Sequence, residues 1–429
     1  MEILVKPISR QSLEPLTGAR FLAALWVVLY HSTTDFGFKI PSQPSRWSFF
    51  AIVKDIVSQG YLAVDFFFLL SGFILAYNYI SFDGTVRGGK RAFWIARIAR
   101  IYPVYLLGIA LGLVSYFNDK HRLVAAAITI ALHILLTQSW IPQALAFDLN
   151  PPAWSLAAEA LFYALFPFLL PLCARLGRRL LPFVAGASWG LYVFALAALT
   201  ALGQGMGLSS NSLWGKVISF NPLVRLPEFL VGLALGLMFA NAHIAVTPIA
   251  KMFRPLTVRS HDLGIAFALG ALGIVFVLVS PIVDHVLQGY ASAAIAGIVI
   301  PLFVLLIYLL ALRSGLFAKI LSLSAVTWLG EISYGVYILH WPLWYLWHTY
   351  AQPLLPLHVN SVWSLILYLF VLVTVAGLSF TYLEGPARRL IRAWWAKPKL
   401  VEDSASQRVA YDPLLVETVK RQVIPRRFE

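Results

Sequence analysis

The stretch that decides the fold is LTGARFLAALWVVLYHSTTD, residues 16–35, an apolar run with an arginine near its beginning and a histidine near its end. Arg20 and His31 are eleven residues apart, so on an α-helix both side chains lie on nearly the same face, roughly 16 Å apart. A buried ionisable group is costly in a bilayer unless it has a partner or lines a cavity, which makes His31 a candidate functional residue. Asp35, one turn later, is its candidate partner. The alternative is an anchoring arginine and a buried histidine that only bonds a neighbouring helix.

The whole chain has the composition of a membrane protein. Its 429 residues are 60% hydrophobic and 12% charged, with a mean hydropathy of +0.78, whereas soluble domains are about 25% charged. We therefore predict an all-α, polytopic membrane helix bundle. One cysteine excludes an internal disulfide framework. The net charge of +14 could indicate nucleic-acid binding, but the basic residues cluster where membrane loops place them, so we exclude that partner.

Apolar runs of about 20 residues predict ten transmembrane helices. They lie at Leu16–Phe36, Gly60–Ile80, Ile101–Phe117, Ala153–Leu172, Leu180–Leu202, Leu223–Ala240, Leu263–Val279, Ala291–Leu312, Ile332–Tyr350 and Val362–Leu383. Basic residues accumulate on the cytoplasmic side, and an arrangement with both termini cytoplasmic puts 26 of the 33 lysines and arginines there. An eleventh span at Leu123–Leu136 would break this parity, so we expect that stretch to be re-entrant or interfacial. Residues 1–389 then form the transmembrane domain, and residues 390–429 form a basic cytoplasmic tail.

A basic segment, RGGKRAFWIARIARIYPVY, follows the second span at residues 87–105. Arg97 and Arg100 share one helix face, and Lys90 and Arg91 precede them. Guanidinium groups bind phosphate in a bidentate geometry, which favours a polyphosphate ligand at the cytoplasmic surface. The positive-inside rule explains the same cluster without a ligand, so both interpretations stay open for the segment as a whole. For Arg97 and Arg100, which lie deepest toward the membrane, the ligand is favoured.

Two carboxylates lie inside predicted spans. Asp65 is about one turn into the second span, GYLAVDFFFLLSGFILAY, and Glu159 is one turn after Ser155 in the fourth, NPPAWSLAAEALFY. Each is costly in a bilayer and is therefore functional or paired. Asp65 either lines a site with His31 or pairs within the bundle. Gly72, also in the second span, is expected to permit close helix packing.

The ninth span, LGEISYGVYILHWPLW, carries a polar stripe. Ser333, Tyr337 and His340 share one helix face and either line a site or form hydrogen bonds between helices. The sequence contains no metal-binding histidine spacing, Walker A loop, nucleophile elbow or dinucleotide fingerprint. The single cysteine, Cys173, has no histidine near it in sequence and is interpreted as inert.

Taken together, these motifs resemble the acyltransferase-3 family of bacterial integral-membrane acyltransferases, which modify O-antigens, exopolysaccharides, peptidoglycan and related molecules. The resemblance covers residues 16–389, and its most specific element is the arginine-x10-histidine pattern of Arg20 and His31. The segments VDFFFLLSGFILA, RIARIYPVY, PPAWSLAAEALFY, ISYGVYILHWP and EGPARR support it in family order. The chain is expected to be a stand-alone form, without the extracytoplasmic serine-hydrolase-like domain of longer members.

The resemblance implies a multi-pass enzyme of the bacterial inner membrane, embedded among its lipids and without a metal. It would move an acyl group, usually acetyl, from cytoplasmic acyl-CoA to a hydroxyl of a glycan or lipid-linked glycan. We assign the residues singled out above, together with Trp154 at the start of the fourth span, to three sets. The catalytic set is His31, Arg20, Asp35, Asp65 and Glu159; the donor set is Arg97, Arg100, Arg91 and Lys90; the acceptor set is Trp154, Ser155, Tyr337 and His340.

The mechanism stays open between two roles for His31. As a general base, oriented by Asp35 or Asp65, it would take the proton of a sugar hydroxyl. As a nucleophile it would carry the acyl group covalently. Arg20 could hold a CoA phosphate or stabilise charge on the thioester oxygen. A rival function is a transporter or flippase of a lipid-linked glycan, which would favour inverted repeats that are not visible here, and a third is a scaffold in which His31 and Arg20 are dispensable.

Overall fold

The computed structural model describes residues 11–37, 48–118, 123–143, 149–244, 258–287, 291–355 and 361–396. Apart from one isolated bridge between Ile80 and Val86, no β-structure occurs within these ranges. The chain up to Arg392 forms one compact unit, and of Ala393–Glu429 only the first four residues are described. The predicted cytoplasmic tail, residues 390–429, therefore lies mostly outside the described residues, although the last helix continues to Ala396.

Sixteen α-helices lie within the described ranges. In chain order they are α1 Glu14–Thr34, α2 Phe49–Ser58, α3 Ala63–Tyr79, α4 Gly89–Asn118, α5 Leu123–Ile134, α6 Trp154–Arg175, α7 Leu181–Gly205, α8 Leu213–Phe220, α9 Pro222–Ile244, α10 Val258–Ile274, α11 Ser280–Leu287, α12 Ala291–Ala311, α13 Leu316–Leu321, α14 Ser324–Leu346, α15 Val362–Ser379 and α16 Gly385–Ala396. Single π-helical turns extend α10, α14 and α15 at Val275–Val279, Trp347–Ala351 and Phe380–Glu384.

Eight helical segments in the described part of the chain are long and apolar enough to cross a membrane. They coincide with all the predicted spans except the first and the ninth. Those two correspond to α1 and α14, whose 21 and 23 residues, at about 1.5 Å each, also match the ~30 Å hydrocarbon core. The prediction of an all-α, polytopic membrane bundle is confirmed. With 12 residues, or about 18 Å, α5 is too short to cross, in keeping with the re-entrant or interfacial helix expected there.

The helices α1 and α14 pack side by side in the same direction. At their beginnings a Cβ on Gly330 would overlap the carbonyl oxygen of Thr17, so only glycine permits this approach. Near their ends the rings of His31 and His340 are 5.3 Å apart, centroid to centroid. The close approach near the start of both helices thus aligns the two histidines near their other ends.

The helix α3 runs antiparallel to α1 and packs tightly on α9. A Cβ on Gly72 would overlap the carbonyl oxygen of Phe229, which confirms the packing role predicted for this glycine. The turn from α3 to α4 is held by Asp83, whose carboxylate accepts hydrogen bonds from Ser81 and Thr85. These hydrogen bonds lower the pKa of Asp83 below its ordinary value. The turn sets the direction in which α4 brings its two arginines back into the bundle.

Candidate active site

A cavity of about 240 Å³ lies between α1, α3, α4, α6 and α14. Three arginines line it, Arg20 from α1 and Arg97 and Arg100 from α4, together with Glu159 from α6. Three guanidinium groups against one carboxylate leave the lining with an excess of positive charge. Such an excess, away from bulk water, favours an anionic ligand.

Aromatic side chains hold Arg97 in place. Its Nη2 donates to the Tyr79 hydroxyl at 3.0 Å, and its guanidinium carbon lies 5.4 Å from the Tyr79 ring centroid and 5.7 Å from that of Phe93. The Nε of Arg97 is buried and has no hydrogen-bond partner among the described residues. An arginine fixed by rings with an unused donor is suited to bind a further acceptor such as a phosphate oxygen.

The carboxylate of Glu159 lies among the three arginines that line the cavity. It accepts a hydrogen bond from the Tyr163 hydroxyl at 2.8 Å and interacts electrostatically with Arg100, Arg20 and Arg97. A buried carboxylate among arginines is stabilised by their charge and in turn limits their mutual repulsion. The structure therefore places Glu159 with the predicted donor residues and not beside His31.

Hydroxyl groups line the part of the cavity nearest His340. Ser155 and Tyr337 both line it, and their oxygens are 2.9 Å apart. The Tyr337 hydroxyl also donates to the carbonyl of Pro152, at 3.0 Å. Ser155 and Tyr337, predicted from different spans, are thus brought together at one place.

Beyond Tyr337 lies His340, which is fully buried. The two ring centroids are 6.0 Å apart, and His340 Nδ1 donates to the Tyr337 carbonyl at 2.6 Å. Because a carbonyl only accepts, Nδ1 carries the proton, and in the neutral ring Nε2 is left with its lone pair. This Nε2 is buried and has no partner among the described residues.

The His31 ring lies against His340 on one side and is bound to Asp35 on the other. His31 Nδ1 is 2.8 Å from Asp35 Oδ2, and the same oxygen accepts a hydrogen bond from the Thr34 hydroxyl at 2.6 Å. The rings of Trp341 and His31 meet edge to face, 5.2 Å apart. The predicted partnership of His31 with Asp35 is present, and it leaves Nε2 of His31 as the free nitrogen. The Asp35 side chain is 41% exposed, so this end of the site reaches the surface.

A proline in α14 shapes the segment that carries His340. Pro342 has no N–H to donate to the carbonyl of Ile338, four residues earlier. The side chain of Asn150, which precedes α6, donates to that carbonyl instead, at 2.8 Å. The hydrogen bond ties the start of α6 to α14 between Tyr337 and His340.

The structure puts Asp65 in a different cluster from His31. Asp65 is buried and accepts hydrogen bonds from Arg225 Nη1 at 2.8 Å and from the Tyr192 hydroxyl at 3.4 Å. The same Nη1 is 2.9 Å from Glu228 Oε1, which makes a buried ion network between α3, α7 and α9. Of the two alternatives for Asp65, the structure shows pairing within the bundle.

Three other predicted site residues lie apart from the cavity. Trp154 packs against the Phe220 ring at 4.9 Å and lies under the Arg225 guanidinium. Lys90 and Arg91 are exposed at the beginning of α4 and do not line the cavity. Their position is that of topology-determining charges.

Some residues of the site were not predicted. Tyr79 and Tyr163, which contact Arg97 and Glu159, look in sequence like ordinary aromatic packing residues. Arg388, which does not line the cavity, forms a 2.5 Å ion pair with the buried Glu384 and interacts electrostatically with Arg20 and Arg100. The four-residue spacing of Glu384 and Arg388 was the available signal. No group of three or more His, Cys, Asp or Glu that could hold a metal ion occurs within the described ranges.

Comparisons with known proteins identify relatives of the whole membrane region. A family model described as an acyltransferase domain, acyltransferase-3, matches residues 14–381. The acyltransferase MdmB of Streptomyces mycarofaciens is 28% identical over 412 residues, which cover 88% of this chain and 92% of that protein. Protein 2 in the picA locus of Rhizobium radiobacter is 34% identical over 183 residues, or 38% of this chain and 82% of that one.

A longer relative is the peptidoglycan O-acetyltransferase OatA of Listeria monocytogenes. It is 24% identical over 396 residues, which cover 89% of this chain but only 56% of OatA. No solved structure matches the chain.

Proposed function

Since this chain belongs to the acyltransferase-3 family of acyltransferase domains, we propose that it is an acyl-CoA-dependent O-acyltransferase that acts on a glycan. The observation that carries the proposal is a continuous series of groups. It runs from the arginine-lined cavity through Tyr337 and His340 to His31 and Asp35. A charged thioester donor and a neutral hydroxyl acceptor need such a site, with cations at one end and a base at the other.

The cavity is proposed to take the reactive part of the donor. Its 240 Å³ is below the ~300–1,000 Å³ of sites that enclose a drug-sized ligand, so it suits a thioester arm with an adjoining phosphate and not the whole of CoA. Arg97 and Arg100 would bind phosphate oxygens, and Arg20 would bind another or face the thioester oxygen. The thioester would then lie at the end formed by Ser155 and Tyr337.

In the proposed reaction His31 acts as the general base. Its Nε2 takes the proton of the acceptor hydroxyl as that oxygen attacks the thioester carbonyl carbon, and the C–S bond then breaks to release the CoA thiolate. Asp35, bound to Nδ1, fixes the tautomer that leaves Nε2 free and stabilises the imidazolium that forms.

The acceptor is proposed to be a cell-surface glycan or its lipid-linked precursor, and the acyl group to be acetyl. OatA, by its name, acetylates peptidoglycan, and it aligns with 89% of this chain. The exposed side of Asp35 gives a hydroxyl of a large acceptor a route to His31. The chain is a multi-pass membrane protein, and the bacterial inner membrane is the location in which such a donor and acceptor meet.

The test is transfer of radiolabelled acetyl from acetyl-CoA to envelope glycan in membranes that contain wild type or His31→Asn. Asparagine keeps an N–H near the position of Nδ1 and removes Nε2, so we expect transfer to fall by about 10²–10⁴-fold. His133→Asn is the matched control. His133 is also buried and donates through Nδ1 to a carbonyl, that of Thr129 at 2.8 Å, on the short helix α5.

The outcomes distinguish the possible roles of His31, and they distinguish the enzyme from the transporter. Equal labelling with wild type and His31→Asn would remove His31 from the reaction. Label bound to the wild-type chain in the absence of acceptor, and lost in His31→Asn, would make His31 the acyl carrier. No label with either protein, combined with altered glycan export, would favour the transporter.

A further inference from the structure

Two imidazoles, and not one, lie between the cavity and the surface. The His340 ring is 5.3 Å from that of His31 and 6.0 Å from that of Tyr337, which lines the cavity. A group that lies between the base and the expected position of the leaving thiolate can take part in proton transfer. The inference below rests on the function proposed above.

The hydrogen bonds of His340 define which nitrogen is available. Nδ1 donates to the Tyr337 carbonyl, and the Tyr368 hydroxyl donates to the His340 carbonyl at 2.6 Å, so both ring and backbone are fixed. Nε2 has no partner among the described residues although the residue is fully buried. An unpaired buried acceptor destabilises a protein, and a purely structural histidine would have no reason to keep one.

We propose that His340 is a proton relay between His31 and the leaving thiolate. After attack, the proton taken from the acceptor hydroxyl is on His31 Nε2, and it passes to His340 Nε2, directly or through one water. As the C–S bond breaks, His340 returns this proton to the CoA sulfur, which leaves as a thiol. One O–C bond forms, one C–S bond breaks, the proton moves from oxygen to sulfur, and both histidines end neutral.

The surroundings of His340 agree with this role. Among the described residues, the titratable groups that face it are His31, with Asp35 behind it, and the hydroxyls of Tyr337 and Tyr368. No carboxylate among the described residues bonds the His340 ring, whereas His31 has Asp35. The two imidazoles therefore differ in their partners, since a carboxylate fixes His31 whereas the Nε2 of His340 stays free to accept a proton and pass it on.

The experiment compares purified wild type with His340→Asn. Asparagine keeps a donor for the Tyr337 carbonyl and lacks Nε2, so a structural role survives the change and a relay does not. We expect kcat to fall about 100-fold, with KM for acetyl-CoA unchanged and the melting temperature not lowered. The ratio of wild-type to variant kcat should shrink by about tenfold from pH 7 to pH 9, because hydroxide then removes the proton from His31 directly.

His133→Asn again serves as the control, since it makes the same replacement at a buried, carbonyl-bound histidine. A His340→Asn kcat within threefold of wild type would overturn the relay, as would a loss that is constant with pH or confined to KM. If His340→Asn does not fold, His340→Gln is measured by the same criteria. Failure of these tests with an active wild type refutes the relay alone, whereas a wild type that does not turn over acetyl-CoA refutes the proposed function.

Discussion

At the scale of single residues, the arginines of α4 separate into two kinds. Arg97 and Arg100 line the cavity eight and eleven residues after Gly89, where the helix begins, while Lys90 and Arg91 are exposed at its start. The sequence places all four in one basic segment, and we assign all four to the donor, although a ligand is favoured most for Arg97 and Arg100. The two kinds differ in their depth in the bundle. This depth depends on where α4 begins and on the contacts of Arg97 with Tyr79 and Phe93.

Arg97→Gln is expected to raise KM for acetyl-CoA by about 10–100-fold, since a charge-assisted hydrogen bond is worth about 1.5–3 kcal/mol and 1.4 kcal/mol is tenfold. With S-acetylpantetheine, which has no nucleotide phosphates, the change should disappear. Arg91→Gln is the control and should alter KM less than threefold. Steady-state kinetics with both donors decides this. Equal effects of the two variants, or an Arg97 effect that persists without the phosphates, would argue against phosphate binding by Arg97.

At the scale of helices, the segment of α14 that carries His340 depends on a helix-interrupting proline and a partner from another helix. An asparagine before Pro151 and Pro152 is typical of an N-cap. In the structure the Asn150 side chain makes no capping hydrogen bond. It donates instead to the Ile338 carbonyl, to which Pro342, lacking an N–H, cannot donate. This contact joins residues 188 positions apart, and no local pattern in the sequence reveals it.

A double-mutant cycle at Asn150 and Pro342 tests this explanation. Asn150→Leu should destabilise the protein by about 1–3 kcal/mol, because the Ile338 carbonyl is left buried and unpaired. In a Pro342→Ala background the alanine N–H can bond that carbonyl within the helix, so the cost of Asn150→Leu should fall below about 1 kcal/mol. Thermal melting in detergent measures both. Costs that simply add would show that the two residues do not share this carbonyl.

At the scale of the whole molecule, the sequence predicts the elements better than their contacts. Apolar length places the spans, and of the two costly charges on α1, Arg20 lies in the lining of the cavity. The same reasoning treats Asp65 as a candidate for catalysis, because cost alone does not say whether a buried charge faces a ligand or a partner. Arg225, its partner, is 160 residues away, and only the packing of α3 on α9 brings them together.

The position of α1 also predicts which face of the membrane each end of the site lies toward. Arg20, at the cavity, and His31 are about 16 Å apart along a helix long enough to cross the bilayer. Two exposed residues, Lys54 and Arg91, lie near opposite ends of the bundle and can report its orientation. Lys54 belongs to α2, which is bonded to the later half of α1 through Trp26 and the Ile56 carbonyl, and Arg91 lies where α4 begins.

In a Cys173→Ser background, Lys54→Cys should react with an impermeant maleimide from outside intact spheroplasts. Arg91→Cys should react only after permeabilisation, because basic residues near span ends are retained in the cytoplasm. The Cys173→Ser chain without a new cysteine gives the background, and labelling after denaturation gives the total. Reaction of both positions from the same side would mean that donor and acceptor meet from one face of the membrane. The reverse pattern would invert the proposed topology. The expected pattern puts the arginine-lined cavity toward cytoplasmic acyl-CoA and Asp35 toward a glycan outside.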